Sequence, residues 1–499
     1  MSIRVNLLAN YGGQIAASGL AFLLAPLFIR SLGLEAWGLI GVFALLSAWF
    51  NLLDLGLTPA VTREVARAGL NDRAAHEAAA LARSVAVVYA GLAVLTAALV
   101  AAGAGPVAQR WLRLDALQPV DAAQAIAWMG VAVALRLFEN LPRAVLTGAQ
   151  ALPLLNGLST LAAVVRWVGG LALVVWGGAG VAGFFAWQAG TAALSAAAFA
   201  FAARRRLAPA AAPARGWRDF AALGRVRRFA GGIALASLLG FALGQIDKLL
   251  LTRLLPMAEF GAYLLAATLA DALALIAAPL YAVMLPRFVG LFERGEQAAL
   301  GALYLGAARW LGVVLVPLAA LLVVFGEAVV FAWSGDAALA RTIAPWVALL
   351  AVGRMLNATM QLPAALQTAA GWTALAAGMN AVAVIVLVPL VLWLVPRHGA
   401  VAYAWCWVAL NVGYLVAGTW RMHQRLLPAQ RGAWVMDSLL RPALAAGAVL
   451  GSARALDAMP LDRWALALAL PAALAAAIAV AALAAALGAR AAAGKVQAA

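Results

Sequence analysis

About fourteen apolar runs constrain this chain more than any single residue does. They fall near 7–29, 37–58, 84–104, 122–141, 154–176, 180–203, 229–252, 260–285, 308–331, 343–365, 372–395, 399–420, 439–456 and 464–488. Most reach the roughly 20 residues that a helix needs to cross a bilayer core. In hydrocarbon every backbone N–H and C=O must be satisfied within the chain, so spans of this length are helices. The expected fold is therefore an all-α integral membrane protein with about 14 transmembrane helices. The last two runs are rich in Ala and only weakly apolar. Hydrophobic residues make up 66% of the chain and charged residues 11%, against roughly 25% charged in a soluble domain. The longest polar stretch, about 204–228, is too short for a separate soluble domain.

The runs are written twice. Arg30-Ser-Leu-Gly-Leu-Glu-Ala-Trp37-Gly38 returns as Arg253-Leu-Leu-Pro-Met-Ala-Glu-Phe260-Gly261, an offset of 253 − 30 = 223. Trp111 has its echo at Trp333 (333 − 111 = 222), and Pro142-x4-Thr147 in Pro363-x4-Thr368 (363 − 142 = 221). Three matches in one order, with offsets drifting by two residues, indicate duplication. A duplicated helix bundle is the usual architecture of a transporter that opens to alternate sides. The expected organisation is a six-helix lobe over 1–203, a basic loop over 204–228 and a second six-helix lobe over 229–422. A linker from Pro428 to Arg441 and two extra helices follow within 423–489, then a small basic tail, 490–499, expected to be disordered. An even number of spans separates matched positions, so the pseudo-two-fold axis is expected along the membrane normal.

A net charge of +16 in a soluble protein would point to nucleic acid. Here about 22 of 35 Lys/Arg fall on one side of the membrane, about 8 on the other and about 5 within spans, which is the positive-inside bias. Arg204, Arg205, Arg206, Arg215, Arg218, Arg225, Arg227 and Arg228 face only Asp219 in the sixth loop. Both termini, this loop and the 60–83 loop are therefore expected in the cytoplasm, with anionic headgroups rather than nucleic acid as the loop's partner. The first run is too long for a signal-peptide core and reads as a retained helix. Cys406 is the single cysteine, so no internal disulfide forms. His76, His398 and His423 fit no metal spacing, and no phosphate-cradling glycine loop is present. No metal or cofactor is expected.

Polar residues within the spans fall on faces. Asn6, Asn10, Gln14 and Ser18 line one face of the first helix; Asn51, Asp54 and Thr58 share one in the second. Arg136, Glu139, Asn140 and Arg143 do so in the fourth, Ser237, Gln245, Lys248 and Thr252 in the seventh, and Arg354, Asn357 and Gln361 in the tenth. The offset of 221 lays Arg136 on Asn357 and Asn140 on Gln361, so the stripe is charged in the first half and neutral in the second. These stripes are expected to line one water-filled cavity.

A charge at mid-membrane costs about 2.5–3.5 kcal/mol on insertion scales, so each one kept needs a reason. Arg136, Arg166, Lys248 and Arg354 are the candidate cations of a substrate path, because a guanidinium donates two parallel bonds to phosphate. Internal pairing is the competing reading: Arg136 with Glu139 on one helix, or Asp54 with Lys248 or Arg166 across the bundle. Arg166 and Arg354 have no acid within a turn of their own helix. Asp54, Asp247 and Asp271 are candidates for coupling a proton or sodium ion, with salt-bridge partnership as the alternative. Arg309 and Glu327 lie nearer span ends, where snorkelling relieves them. The pairs Gly12-Gly13, Gly169-Gly170, Gly177-Gly178 and Gly231-Gly232 read as close packing sites, and Pro26, Pro59, Pro142, Pro279 and Pro363 as kinks.

The first 70 residues carry Asn10-Tyr-Gly-Gly-Gln14, Pro26-x3-Arg30-x-Leu32-Gly33-x-Glu35-x-Trp37-Gly38, Leu53-Asp54-Leu55-Gly56-Leu57-Thr58-Pro59-Ala60 and Thr62-Arg63-Glu64. This order resembles the start of the bacterial O-antigen and polysaccharide transporters, in the superfamily that also holds multidrug and toxin extruders and lipid II flippases. Later spans match by layout. The resemblance implies two six-helix lobes around a cavity, often with two extra helices. It implies transfer of an oligosaccharide on a polyprenyl diphosphate from the cytoplasmic to the periplasmic leaflet of the inner membrane, with polymerase and glycosyltransferases as partners. It also implies cavity Arg and Lys holding diphosphate; assigning that role to Arg136, Arg166, Lys248 and Arg354 rests on their position, not on a matched motif. A lipid II flippase shares the architecture. An ion-coupled drug exporter would want an acidic cavity, which the basic surplus disfavours. A membrane glycosyltransferase or polymerase would want a long non-cytoplasmic loop with paired carboxylates, and no loop is long enough.

Overall fold

The computed structural model describes residues 19–54, 56–68, 72–207, 245, 248–453 and 462–497. Twelve helices among them are long and apolar enough to cross a membrane, and each corresponds to one of the expected runs. The other two runs, 7–29 and 229–252, fall wholly or partly outside the described residues. The protein is a multi-pass, all-α membrane protein. It divides into two compact units, residues 1–261 and 262–499.

In the first unit α1 (Gly19–Leu32) precedes α2 (Leu34–Asn51), α3 (Leu57–Arg67) and α4 (Asp72–Pro106). Then come α5 (Pro119–Gly148), α6 (Leu152–Val175), α7 (Val181–Leu207) and a short α8 over 248–254. α5 is the centre, packed on α3, α4 and α7. Leu57, Val61 and Val65 of α3 meet Leu81, Val85 and Tyr89 of α4 and Leu137, Leu141 and Val145 of α5. Lipid tails are as apolar as these side chains, so close packing and hydrogen bonds, not burial from water, hold such a core together.

The expected second span is not one helix. α2 gives way to a 3-10 turn over Leu52–Asp54, and α3 starts afresh at Leu57. Gly56 takes φ +76°, a left-handed conformation that glycine adopts without a Cβ clash. The Asp54 carboxylate accepts the Thr58 backbone N–H at 3.2 Å and the Thr58 hydroxyl at 2.5 Å. Pro59, lacking an N–H, sits in the first turn, where none is needed. Asn51, Asp54 and Thr58 therefore do not share one continuous helical face.

The second unit holds most of α9 (Met257–Asp271), then α10 (Ala274–Glu293), α11 (Gln297–Val324), α12 (Gly326–Ser334) and α13 (Ala337–Thr359). α14 (Gln361–Ala369), α15 (Thr373–His398) and α16 (Ala400–Gly413) follow, α16 passing through a π-turn into α17 (Trp420–Leu426). α18 (Arg431–Val435), a second π-turn, α19 (Arg441–Ser452) and α20 (Arg463–Gln497) complete it. Three expectations change here. The segment taken as a linker is helical from Arg431 and continues into α19. Residues 490–497 extend α20 instead of fraying, as their run of strong helix-forming Ala allows. Arg309 is not a snorkelling cation: its Nη2 lies 2.6 Å from Oδ2 of buried Asp437, which Arg441 also contacts. That cluster and the small residues Ala477, Ala481 and Ala485 seat α19 and α20 on α11.

The duplicated motifs keep their local bonds. The Thr147 hydroxyl donates to the Arg143 carbonyl at 2.8 Å, and Thr368 to the Ala364 carbonyl at 2.9 Å. Past these threonines Gln150 holds φ +55° and Gly371 φ +67°, again 221 apart. Glu35, in the first motif, is buried and fastens the loop after α4: its carboxylate accepts the N–H groups of Asp115, Ala116 and Leu117 at 2.7–2.9 Å. Gly38 lets Met257 approach, since a Cβ there would lie 2.6 Å from the Met257 sulfur.

Candidate functional site

The charged stripe of the first unit lies on α5 and faces α6 and α7. Glu139 is 3% exposed. Its Oε2 lies 3.4 Å from Nε of Arg143, one turn on, and Oε1 accepts the Ser195 hydroxyl from α7. Arg143 also stacks over the Phe199 ring at 4.4 Å. Glu139 is thus taken, and the Arg136–Glu139 ion pair allowed by their spacing is not made. Arg136 instead donates from Nη2 to Gln188 Oε1 at 2.9 Å and lies 4.5 Å over Phe43. Edge-to-face rings extend from there: Phe43 on Phe185, Phe185 on Phe184, Phe184 on Phe28, and Phe28 on Trp167.

Arg166 lies next to Trp167 on α6. The Gly169-Gly170 pair one turn on makes room for α7, because a Cβ at Gly169 would sit 2.4 Å from the Trp187 ring. The Nε groups of both Arg136 and Arg166 are buried without a hydrogen-bond partner. Arg136, Arg143 and Arg166 all feel the charge of Glu139. Three guanidinium groups around one carboxylate leave a surplus of positive charge, and two buried N–H donors remain unmet. An unmet donor costs about 1–3 kcal/mol, more when charged, so this arrangement favours an anionic acceptor.

In the second unit the corresponding stripe is neutral. Asn357 Nδ2 donates to Asn411 Oδ1 at 3.0 Å, and Asn411 Nδ2 donates to the Trp407 carbonyl at 2.8 Å. This bond repeats Arg136–Gln188 between equivalent helices: 357 − 136 = 221 and 411 − 188 = 223. Beside it is a hollow of about 170 Å³ lined by Asn357, Gln361, Gln367, Asn380, Tyr414 and Thr419. Arg354 does have an acid, but from α9: its Nε lies 2.5 Å from Asp271 Oδ1. The N–H does not point along that contact, so Nε counts as close to a charge yet without a hydrogen bond. The guanidinium stacks 4.6 Å over Trp407. Arg354, with no acid within a turn of its own helix, thus finds one across the bundle on α9.

Asp54 meets neither Lys248 nor Arg166. It takes Thr58 and the Tyr89 hydroxyl, which fits a carboxylate fixed as a helix cap. Asn140, Gln245 and Lys248 are half-buried and Asn51 is exposed. Asn10, Gln14 and Asp247 lie outside the described residues. Sequence reasoning missed Gln188, Ser195, Asn380 and Asn411. Gln188, Thr191 and Ser195 recur at i, i+3, i+7 on α7 and are all buried, so the periodicity that found the other stripes would have found this one. Among the described residues no cluster of His, Cys, Asp or Glu suits a metal.

The fold resembles solved transporters at low sequence identity. A lipid II flippase, MurJ, in an inward closed conformation matches with a TM-score of 0.71 and 10% identity, covering 98% of this chain and 99% of that one. An inward-facing multidrug resistance MATE family transporter of the MOP superfamily matches at 0.63 and 14% identity, covering 83% and 96%. The MATE multidrug transporter DinF-BH, solved in complex with a ligand, matches at 0.58 and 14%, covering 83% and 92%. No curated protein matches the sequence. The model of the polysaccharide biosynthesis protein family matches residues 3–292, more than half of the chain, and the protein belongs to that family.

Proposed function

We propose that the protein flips a polyprenyl-diphosphate-linked oligosaccharide from the cytoplasmic to the periplasmic leaflet of a bacterial inner membrane, for surface polysaccharide or O-antigen synthesis. The observation that carries this reading is the first unit's cationic surplus: Arg136 and Arg166 keep buried N–H donors unmet while Glu139 is occupied by Arg143 and Ser195. A diphosphate supplies the acceptors these donors lack. The duplicated units supply two bodies that can alternate access, and the head group, which must cross about 30 Å of hydrocarbon, exchanges water for Arg, Asn and Gln contacts. Lys248 and Arg354 are the further candidate cations. Half-exposed Asp271 is the candidate for ion coupling, because protonating it would release Arg354.

A second reading, with lipid II as cargo, draws support from coverage. The lipid II flippase structure spans α19 and α20 as well, whereas the MATE structures cover 83% of the chain. Both cargoes present the same diphosphate to the same cations. The test is depletion in the native host with complementation by variants. Lipid-linked oligosaccharide accumulates in the cytoplasmic leaflet and surface glycan is lost; Arg136→Ala and Arg166→Ala fail to complement while inserting normally, and Arg→Lys rescues in part. Arrest of peptidoglycan synthesis with intact surface glycan selects lipid II instead. Normal glycan with sensitivity to cationic dyes defeats both and selects a drug exporter.

A further inference from the structure

The first unit contains a second cationic feature, apart from the Arg136–Arg166 cluster. A cleft of about 450 Å³ opens between α4, α5 and α7, with Arg83 and Arg204 at its edge and an otherwise apolar lining. Both arginines are exposed, and neither has an acidic partner among the described residues.

The duplication shows what this cleft lacks. Applying 222 to α4, and 223 to α7 from the Gln188–Asn411 match, lays Ala82 on Tyr304 and Ala200 on His423. In the second unit those two side chains fill the space: Tyr304 donates its hydroxyl to His423 Nε2 at 3.1 Å, and His423 Nδ1 donates to the Thr419 carbonyl at 2.9 Å. A roof lies over them. The Gln430 side chain packs where a Cβ on Gly301, the counterpart of Ala79, would stand. Trp434, 1% exposed, lies 5.3 Å from the His423 ring. The offset applied to α7 lays Gln430 on Leu207, at the end of α7, and Trp434 on Ala211, outside the described residues. The counterparts of Arg83 and Arg204 are Leu305 and Leu427. In the first unit the large residues are alanines, no described side chain stands where Gln430 and Trp434 stand in the second, and two leucines are exchanged for arginines.

We propose that this cleft holds an anionic phospholipid of the surrounding bilayer, with one acyl chain between α4, α5 and α7 and the phosphate between Arg83 and Arg204. The alanines make an apolar slot where the other unit is solid. Two arginines, on two helices, line the one cleft, and guanidinium groups favour phosphate as a partner. A resident phospholipid is the occupant because Arg83 just precedes the apolar run 84–104 and Arg204 just follows the run 180–203, beside the further basic end of α7, and such span ends meet the anionic headgroups. The role is to fill the slot: a bound acyl chain takes the space that Tyr304 and His423 fill in the other unit.

The test is native mass spectrometry of the full-length protein released from micelles carrying equimolar dioleoyl phosphatidylglycerol and dioleoyl phosphatidylcholine. The wild type should retain phosphatidylglycerol preferentially. Arg83→Ala with Arg204→Ala should lower that retention about thirtyfold, in line with the pull of an anionic headgroup on two nearby Arg. Ala82→Tyr, which copies Tyr304 into the slot, should abolish retention of both lipids while the protein stays monodisperse. Unchanged preference in the double arginine variant overturns the proposal. So does displacement of phosphatidylglycerol from the wild type by equimolar undecaprenyl phosphate, which would give the cleft to the carrier lipid.

Discussion

The two units solve one packing problem with different chemistry. Each joins equivalent helices by a buried side-chain bond, Arg136 to Gln188 in the first and Asn357 to Asn411 in the second. Around that bond they part. Glu139, Arg143 and Ser195 fill the first unit with an ion pair, and offsets of 221, 221 and 223 lay them on Met360, Ala364 and Gly418. All three of those line the second unit's hollow. Loss of the pair and its side chains thus accounts for the space that amides and a phenol now surround. Duplication preserved the helix-to-helix hydrogen bond and left the charge free to diverge, so the surplus of cations lies on one side of the pseudo-symmetry alone.

The comparison breaks most visibly at Glu139. Arg143→Ala leaves a buried carboxylate without its cation, and breaking a buried pair this way costs about 3 kcal/mol, the low end of the usual range because Arg143 is partly exposed. Thermal unfolding in detergent should show the loss, and Glu139→Gln in the same chain should restore most of it. If Arg143→Ala unfolds like the wild type, the pair is not what holds α5 to α7. The reverse exchange is next in size. Asn357→Arg puts the first unit's cation into the neutral unit, where Asn411 Oδ1 can still accept from it. The remaining cost, about 2.5 kcal/mol on insertion scales, should appear as reduced stability, and an added Met360→Glu should recover part of it. Recovery would show that the two cores remain interchangeable; its failure would show that the hollow has a use of its own.

Removing the shared bond should matter less. Asn411→Ala leaves Asn357 Nδ2 without its acceptor, at about 1–2 kcal/mol, and Gln188→Ala should cost more because the orphaned donor is a charged guanidinium. Equal effects would deny the difference in charge. These bonds also mark what the sequence could reveal. The spans, the duplication and the stripes on α5 and α13 follow from periods of 3.6 residues and from fixed offsets, both of which are local signals. The partner stripe on α7 is equally periodic but uncharged, and so gives a weaker signal. The Arg354–Asp271 contact joins α13 to α9, and no spacing along one helix encodes it. Glu139 has two arginines within reach, at i−3 and i+4; it pairs with Arg143, while Arg136 donates to Gln188 on α7, and spacing along α5 does not encode that choice. The break after Asn51 was written in Asp54-x-Gly56 but was masked by continuous hydrophobicity across it.

The smallest expected effect tests the symmetry at one backbone position. Gln150 and Gly371 end equivalent helices with positive φ, and among the described residues Gln150 is the one non-glycine that does so. A left-handed conformation costs an L-residue about 1–2 kcal/mol, which glycine does not incur. Glycine also gains more freedom in the unfolded chain, which offsets part of the benefit. Gln150→Gly should therefore stabilise the first unit by only about 0.5 kcal/mol, and Gly371→Gln should destabilise the second by about 1 kcal/mol. Both are read as midpoint shifts of opposite sign in thermal unfolding. Gln150 is exposed, and its one side-chain bond is a long 3.5 Å contact to the Thr147 carbonyl, so little else is lost with it. Shifts of the same sign would mean that the two caps, though 221 residues apart and alike in φ, are not held by the same backbone geometry.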